Sequence, residues 1–352
     1  MAPYWILFSI PAVMAMLEKH DRLGEKAERQ SLLIFSLLLI PFVGLRYEVG
    51  GDWLTYISIF EGVAFDRELP TTLEESDPGY GAVNWLAGTM GSDVRAVNVM
   101  CAMIFAFGFH RFCTHQPRPW LAAAVAVPYL IIVVAMGYSR QGAAIGLLLA
   151  GLVPLMEGNL RKYVLWVLLA ATFHRTAVIM IPLAALAETR NRWLAILWVG
   201  AAAMAAYFAF LSEDINTLAK NYLESEYNSQ GALVRVAQNI VPAIVFLLFR
   251  RSFALDLRTQ KLWTYLALAA LASGPALVLS PSTTAVDRIA LYLIPLQLFV
   301  YSRMANALFG RTSAQPICNI GILTYCTAVL FVWLNYAAHS IAWVPYRNYL
   351  FL

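Results

Sequence analysis

The stretch GLRYEVGGDWLTYISIF, residues 44–60, decides how this chain is interpreted. It follows an apolar run and places three charged residues, Arg46, Glu48 and Asp52, at the end of that run. Two glycines precede Asp52, whose carboxylate is suited to cap a helix predicted over 53–60. Charged groups at such a junction, where a membrane helix ends beside a watery cavity, are typical of ion-binding and catalytic sites.

The composition is that of a membrane protein. Of the 352 residues, 60% are apolar and 13% are charged, and the mean hydropathy is +0.64. Ordinary soluble domains carry roughly a quarter charged residues, so this chain is predicted to be an all-α polytopic membrane protein. The four cysteines show no CxxC or Cys/His spacing and are interpreted as small buried residues.

Twelve apolar runs predict about twelve transmembrane helices. Several runs are shorter than the roughly 20 residues that a perpendicular span needs, so their boundaries are approximate. A further stretch at 80–90 predicts a short interfacial or re-entrant helix. The runs lie at 3–17, 31–45, 94–109, 120–137, 142–156, 163–172, 176–187, 193–211, 236–249, 262–280, 289–302 and 317–335.

The loops between the runs differ in charge on the two sides. Alternate loops, from 18–30 to 303–316, hold 16 of the 25 Lys and Arg residues but seven of the 21 acidic residues. The positive-inside rule makes these loops cytoplasmic and both termini external. We therefore predict a single transmembrane domain, 1–352, with long extracytoplasmic segments at 46–93 and 212–235 and an extracytoplasmic tail at 336–352.

Isolated arginines lie at several predicted outer helix ends. Guanidinium groups stay charged and offer paired donors that match phosphate oxygens, so arginines from several helices predict a phosphate or pyrophosphate site. The alternative for each is a side chain that reaches the lipid headgroups. The candidates are Arg46, Arg140, Arg175 and Arg288.

Two residues are candidates for proton transfer in such a site. Asp52 is a candidate base or ligand-orienting carboxylate, unless it is a plain helix cap. His174 could deprotonate a hydroxyl or bind phosphate near neutral pH, unless it is a hydrogen-bonded interfacial histidine. A third group, Asp287, either caps a helix or pairs locally with Arg288.

Aromatic residues are frequent near the predicted outer interface. An aromatic belt explains most of them, and stacking against sugar rings is the alternative. They include Trp53, Tyr56, Tyr80, Trp85, Trp343, Tyr346 and Tyr349.

The sequence has no Walker A, GxGxxG, HExxH or DxD-like motif. These absences argue against an ATP-driven pump, a dinucleotide enzyme and a metalloprotease, and they predict that neither a cofactor nor a metal is used. The chain also shows no repeated halves, and its conspicuous charges gather at one face, which favours an enzyme over a transporter.

The pattern Arg46-x-x-x-Gly50-Gly51-Asp52-x-x-x-Tyr56-x-x-x-Phe60 resembles the N-terminal signature of the EpsG family of Wzy-like polysaccharide polymerases. One residue departs from the family pattern: Asp77 stands where the family would have Glu. Further matches follow in the same order over nearly the whole chain: Asp77-Pro78-Gly79-Tyr80, Ser139-Arg140-Gln141, Phe173-His174 with Pro182, Asp287-Arg288 with Tyr292, and Pro345-Tyr346.

The resemblance implies a GT-C-like fold and an active site that faces the periplasm or exterior of a bacterial inner membrane. The enzyme would join oligosaccharide repeat units carried on undecaprenyl diphosphate. Its other partners would be membrane lipids, with a chain-length regulator and a flippase as candidates, and no nucleic acid. The alternatives are an O-antigen-type ligase, a transferase that uses a polyprenyl-phosphate sugar, and a transporter of lipid-linked sugars or polysaccharide.

The resemblance and the charge pattern together assign roles to named residues. Asp52 and His174 are the candidate catalytic residues, and the four arginines are the candidate pyrophosphate ligands. The residues expected to bind glycan or support the site are Tyr56, Asp77, Tyr80, Gln141, Asp287, Tyr292 and Tyr346.

Overall fold

The computed structural model describes residues 1–18, 22–66, 77–187, 192–210, 231–310 and 312–352. These residues form helices joined by turns, with no β-strand among them. We number the α-helices α1 Ala2–Leu17, α2 Arg22–Gly44, α3 Trp53–Asp66, α4 Pro78–Thr89, α5 Val94–Thr114, α6 Pro119–Ala126, α7 Ser139–Met156, α8 Leu160–Phe173, α9 Pro182–Ala187, α10 Arg192–Phe210, α11 Ala232–Phe249, α12 Leu257–Leu279, α13 Thr283–Ala290, α14 Pro295–Phe309 and α15 Ala314–Tyr336.

Shorter helical segments complete the described chain. A π-helical segment continues α6, and the 3-10 turns follow α8, α13 and α15. These segments are Val127–Ala135 (π) and Arg175–Met180, Leu291–Leu293, Ala338–Ala342 and Tyr349–Phe351 (3-10).

The predicted apolar runs coincide with helical structure, which confirms the all-helical, multi-pass class. Within the described ranges, six helices are long and apolar enough to span a membrane, and a pair bent by 46°, Thr283–Leu293 with Pro295–Phe309, brings the number to seven. Twelve spans and a GT-C-like architecture stay predictions. The six helices include Lys26–Gly44, Val94–Thr114, Ser139–Met156, Ala232–Phe249, Leu257–Leu279 and Ala314–Tyr336.

Both short helices predicted between spans are present. The helix predicted over 53–60 is α3, and the stretch at 80–90 forms most of α4. Residues 67–76 of the first long predicted outer segment and 212–230 of the second lie outside the described residues. The last residues of the second segment lie in α11, which begins at Ala232.

Local sequence explains several helix starts. The Asp93 carboxylate accepts the Arg95 N–H over 2.8 Å at the start of α5, and Asp256 accepts two backbone N–H groups at the start of α12. Such caps satisfy donors that have no partner inside the helix. Pro78 and Pro119 lie in the first turns of α4 and α6, where the missing N–H costs nothing.

The described chain divides into two compact units. The first comprises Met1–Ala150, Leu169–Arg175 and Leu323–Leu352, and the second comprises Gly151–Leu168 and Thr176–Ile322. In the first unit α2 packs along α5, and in the second unit α11 packs along α12. The prediction of one transmembrane domain for 1–352 stays a prediction.

The segment 44–60 is paired with residues far along the chain. Tyr47 N–H donates to the Arg347 carbonyl over 3.0 Å, and Tyr349 N–H donates to the Leu45 carbonyl over 2.8 Å. Gly50, at φ +111°, adopts a backbone conformation that favours glycine, and its N–H donates to a carbonyl of the same distant segment. The predicted tail is therefore part of the first unit's framework.

Trp343 anchors this distant segment in the first unit. Its side chain is buried, and its Nε1–H donates to the Ile132 carbonyl over 2.7 Å. The Trp343 carbonyl accepts the Tyr4 hydroxyl over 2.6 Å. The ring lies so close to Gly137 that a Cβ there would be 2.5 Å from it. Three distant parts of the sequence thus meet at Trp343.

Candidate functional site

Asp77 holds two arginines together in the first unit. Its Oδ2 lies 3.1 Å from Arg140 Nη1, its Oδ1 lies 3.3 Å from Arg175 Nε, and Oδ1 also accepts the Arg175 backbone N–H over 3.2 Å. The Asp77 side chain is 9% exposed, whereas those of Arg140 and Arg175 are 31% and 25% exposed. This Asp77 cluster combines a buried carboxylate with two partly accessible guanidinium groups.

The electrostatics of the Asp77 cluster favour an anion. Burial raises the pKa of the Asp77 carboxyl, while the charges of Arg140 and Arg175 and the Arg175 N–H limit that rise. One carboxylate between two guanidinium groups leaves one net positive charge. The carboxylate also reduces the repulsion between the two cations, so both can stay in place before a ligand binds.

Three helix ends position the Asp77 cluster. Asp77 occupies the cap position of α4, Arg140 lies in the first turn of α7, and Arg175 follows α8.

The close approach of α4 to the end of α8 depends on Gly79. A Cβ at that position would lie 2.4 Å from Thr172 Oγ1 and 3.0 Å from the Thr172 carbonyl oxygen. The Asp77-Pro78-Gly79-Tyr80 motif therefore needs glycine at position 79, because any side chain there would clash with Thr172.

Two buried tyrosines line the cluster. The Arg140 guanidinium lies 5.7 Å from the centre of the Tyr80 ring, and the Tyr80 and Tyr56 rings are 5.8 Å apart. Burial and the charge of Asp52 raise the pKa of Tyr56 to about 12, and Arg140 acts in the opposite direction. Tyr80 Oη has no hydrogen-bond partner in the described part of the chain. Asp52, Tyr56, Tyr80 and Arg140 thus share one polar environment.

The two candidate bases both lie in the first unit. The Asp52 carbonyl accepts the Tyr56 N–H over 3.0 Å, which places Asp52 at the predicted start of α3. His174 extends α8, since its N–H donates to the Ala170 carbonyl over 3.0 Å. His174 directly precedes Arg175 and therefore adjoins the Asp77 cluster along the chain. Both side chains are partly buried.

Arg46 is buried and makes its hydrogen bonds to the protein itself. Its side chain donates to the Val43 and Val49 carbonyls over 2.7 Å and 3.0 Å. It also donates to Ser139 Oγ over 2.7 Å and to Asn98 Oδ1 over 3.1 Å. These bonds use four of the five guanidinium N–H groups. The geometry is that of a residue that fixes the end of α2 against the start of α7.

Two other predicted residues also lie in the framework of the first unit. The Tyr346 hydroxyl donates to the Phe42 carbonyl over 2.9 Å, and the two rings stack with centres 4.5 Å apart. Gln141 is 2% exposed in the first turn of α7, beside Arg140 in the chain. Of the two predicted roles, binding glycan or supporting the site, both positions fit the supporting role.

Asp287, Arg288 and Tyr292 belong to the second unit. Asp287 forms a bidentate ion pair with Arg235, with distances of 2.7 Å and 2.6 Å. Asp287 lies inside α13, whose cap position is Ser282, so the capping alternative is not what the structure shows, and its carboxylate pairs with Arg235 of α11. The Tyr292 hydroxyl lies 3.1 Å from Thr176 Oγ1.

Sequence reasoning missed Asn98 and Arg235. Asn98 receives hydrogen bonds from both Arg46 and Ser139. The sequence places Arg235 in the predicted outer segment 212–235, but it lies in α11, one turn before the buried Asn239. The Asn239 amide donates to the Ala290 carbonyl over 2.8 Å. A polar residue one helical turn before another in an apolar run is the signal that would have identified Arg235 as inward-facing.

Replacing Gly79 by Ala is expected to destabilise the first unit by about 1–3 kcal/mol, because the added methyl group overlaps Thr172. Thermal unfolding of the purified protein in detergent measures this change. Gly62→Ala is the matched control, since a Cβ at Gly62 has no neighbour within 4 Å. Equal unfolding midpoints for the two variants would contradict the close approach of α4 to α8.

The fold and site define an all-helical, multi-pass membrane protein with an arginine–aspartate cluster at helix ends. No group of three potential metal-ligating side chains occurs among the residues that the structure describes. The EpsG family model matches residues 31–348, so the chain belongs to the EpsG family, a Wzy-like polysaccharide polymerase family. No curated protein matches the chain, and no solved structure matches it. The family membership confirms the resemblance carried by the sequence motifs.

Proposed function

We propose that this protein joins oligosaccharide repeat units carried on undecaprenyl diphosphate, at the outer face of the bacterial inner membrane. An acceptor hydroxyl of the next lipid-linked unit attacks the anomeric carbon at the lipid end of the growing glycan. A glycosidic C–O bond forms, the bond between that carbon and the diphosphate oxygen breaks, and undecaprenyl diphosphate leaves. The hydroxyl proton passes to a base on the protein.

The Asp77 cluster is the observation that carries this proposal. Arg140 and Arg175 are partly accessible and are held by one carboxylate at 3.1 Å and 3.3 Å. Two prearranged guanidinium groups offset the negative charge that develops on a leaving diphosphate, with no metal required. Arg288 belongs to the second unit, and its role as a pyrophosphate ligand stays a prediction. Arg46 enters the proposal as a positioning residue, because its donors are used inside the protein.

Asp52 and His174 are the proposed bases. Asp52 acts electrostatically on Tyr56, next to Arg140, and His174 precedes Arg175. A histidine titrates near neutral pH, whereas an aspartate is ionised throughout that range. The pH profiles of Asp52→Asn and His174→Ala therefore distinguish them: the variant that lacks the base loses the acidic limb of the wild-type rate profile.

Reconstitution tests the proposed function. Purified protein in liposomes is given a lipid-diphosphate-linked repeat unit as its only substrate, with EDTA present, and the products are sized on a gel. We expect a ladder that rises by one repeat unit, because donor and acceptor are the same molecule and the arginines replace a metal. The matched control is the same preparation without protein.

Other outcomes point to the other functions. Substrate binding without a ladder would contradict the polymerase. Transfer to a different acceptor lipid would then indicate a ligase, and substrate movement across the bilayer would indicate a transporter. A ladder that disappears with EDTA and returns with a divalent cation would contradict the metal-free part of the proposal.

A further inference from the structure

The second unit contains an apolar groove of about 380 Å³. Its walls come from Ile179 and Met180 with α9, from α12 and from α13. Nearly all its lining side chains are apolar, and it is open at the surface of the unit. The volume falls within the range of small-ligand sites, roughly 300–1,000 Å³.

The groove is elongated along α12. Its lining on α12 runs from Tyr265 to Ala276, which at about 1.5 Å per residue is roughly 16 Å along the helix. Small side chains form this wall, including Ala269 and Ala272, and bulkier ones such as Leu183 form the facing wall. An elongated apolar channel with a small-residue floor fits a linear hydrocarbon chain better than a compact ligand.

Charged groups accompany the apolar wall on α13. Val286 and Ile289 line the groove, and Arg288 lies between them in the sequence. Asp287 is neutralised by its bidentate pair with Arg235, so the three charged side chains carry one net positive charge. Two arginines, one on α11 and one on α13, with one aspartate beside an apolar groove are complementary to a lipid with an anionic head.

A hydrogen bond holds two walls of the groove together. The Tyr292 hydroxyl, just after α13, lies 3.1 Å from Thr176 Oγ1, just before the wall residues Ile179 and Met180. The two walls are therefore connected beside the groove and not only through α12. Such a connection restrains the separation of the two walls.

We propose that this groove binds the polyisoprenyl chain of a lipid-linked substrate, with the charged residues of α13 toward its phosphorylated head. The identity of the lipid rests on the proposed function, while the groove, its apolar lining and its charged neighbour do not. The proposed occupant is an isoprenoid chain, and ordinary phospholipid tails are the competing occupant in the test.

A sugar-free polyisoprenyl monophosphate with a photoreactive group on its chain is the probe. It is irradiated with the full-length protein in phosphatidylethanolamine liposomes, and labelled peptides are identified by mass spectrometry. We expect labels within 265–276 and 179–186.

Ala272→Trp and Ala276→Leu should lower labelling about tenfold, the scale expected when roughly two methylene contacts are lost. Leu268→Trp is the control, because Leu268 is exposed on α12 and does not line the groove.

Each result bears on the groove. Labelling that an equal excess of phosphatidylglycerol removes as well as polyisoprenyl phosphate would overturn the proposal in favour of ordinary lipid. Labelling elsewhere, or equal labelling of Ala276→Leu and Leu268→Trp, would also overturn it. The assay needs no sugar transfer, so a missing polymer ladder with normal groove labelling contradicts the polymerase alone. A normal ladder with unaltered labelling of the variants contradicts the groove alone.

Discussion

Asp77→Asn is expected to reduce polymer synthesis on the order of 10²-fold, which is the scale of loss when catalytic groups are misplaced by about 1 Å. The substitution keeps the size of the side chain and removes its charge. In the wild-type protein the Asp77 carboxylate lies 3.1 Å from Arg140 and 3.3 Å from Arg175. Without its charge the two guanidinium groups repel each other and move apart. The rate of ladder formation in liposomes, at matched protein amounts, measures the effect.

Asp93→Asn is the matched control for this variant. Asp93 also pairs with an arginine, Arg95, but the two side chains are 43% and 50% exposed. Exposed pairs contribute little, and asparagine caps a helix as well as aspartate does, so the rate should be unchanged. If Asp77→Asn polymerised as fast as Asp93→Asn, the Asp77 cluster would not be the diphosphate site.

Arg140→Lys is expected to lower the polymerisation rate by roughly 10²–10³, the loss seen when one prearranged donor to a developing anion is removed. Lysine keeps the positive charge and can still pair with Asp77. It lacks the planar fork of donors, so it cannot contact Asp77 and a phosphate oxygen in the same way. Single-turnover rates at saturating lipid-linked substrate isolate this step from binding.

Arg95→Lys tests whether the effect is specific to the Asp77 cluster. Arg95 resembles Arg140 in pairing with an aspartate and in lying near a tyrosine ring, at 4.9 Å from Tyr349. It is exposed, so the conservative substitution should leave the rate unchanged. Full activity of Arg140→Lys would remove Arg140 from the phosphate role and leave Arg175 as the candidate ligand in the first unit.

The helices could be predicted from sequence because apolar runs and helix caps are local signals. The start of α3 at Trp53 follows from the glycine pair and Asp52 before it, and α4 follows from Pro78 in its first turn. The Asp77 cluster could be predicted only as a set of residue types. Asp77 and Arg140 are 63 residues apart, and Asp77 and Arg175 are 98 apart, so their contact depends on how helices pack.

Arg46 and Asp287 show which information a sequence lacks. A charge at the end of an apolar run looks the same whether it faces a ligand or the protein, and Arg46 faces Val43, Val49, Asn98 and Ser139. For Asp287, the neighbouring arginine seemed the natural partner by proximity along the chain. The structure shows a pair with Arg235, 52 residues earlier, because α11 packs beside α13.

A ribosome making this chain completes residues 45–50 long before residues 342–349 exist. These two segments form a junction, at which the Tyr346 hydroxyl donates to the carbonyl of Phe42, 304 residues earlier. At about 5–20 residues per second, synthesis of the intervening chain takes roughly 15–60 s. During that interval the N–H groups of Tyr47 and Gly50 lack their native partners, because those residues have not yet been made. Completion of this junction is therefore a late event in the synthesis of the chain.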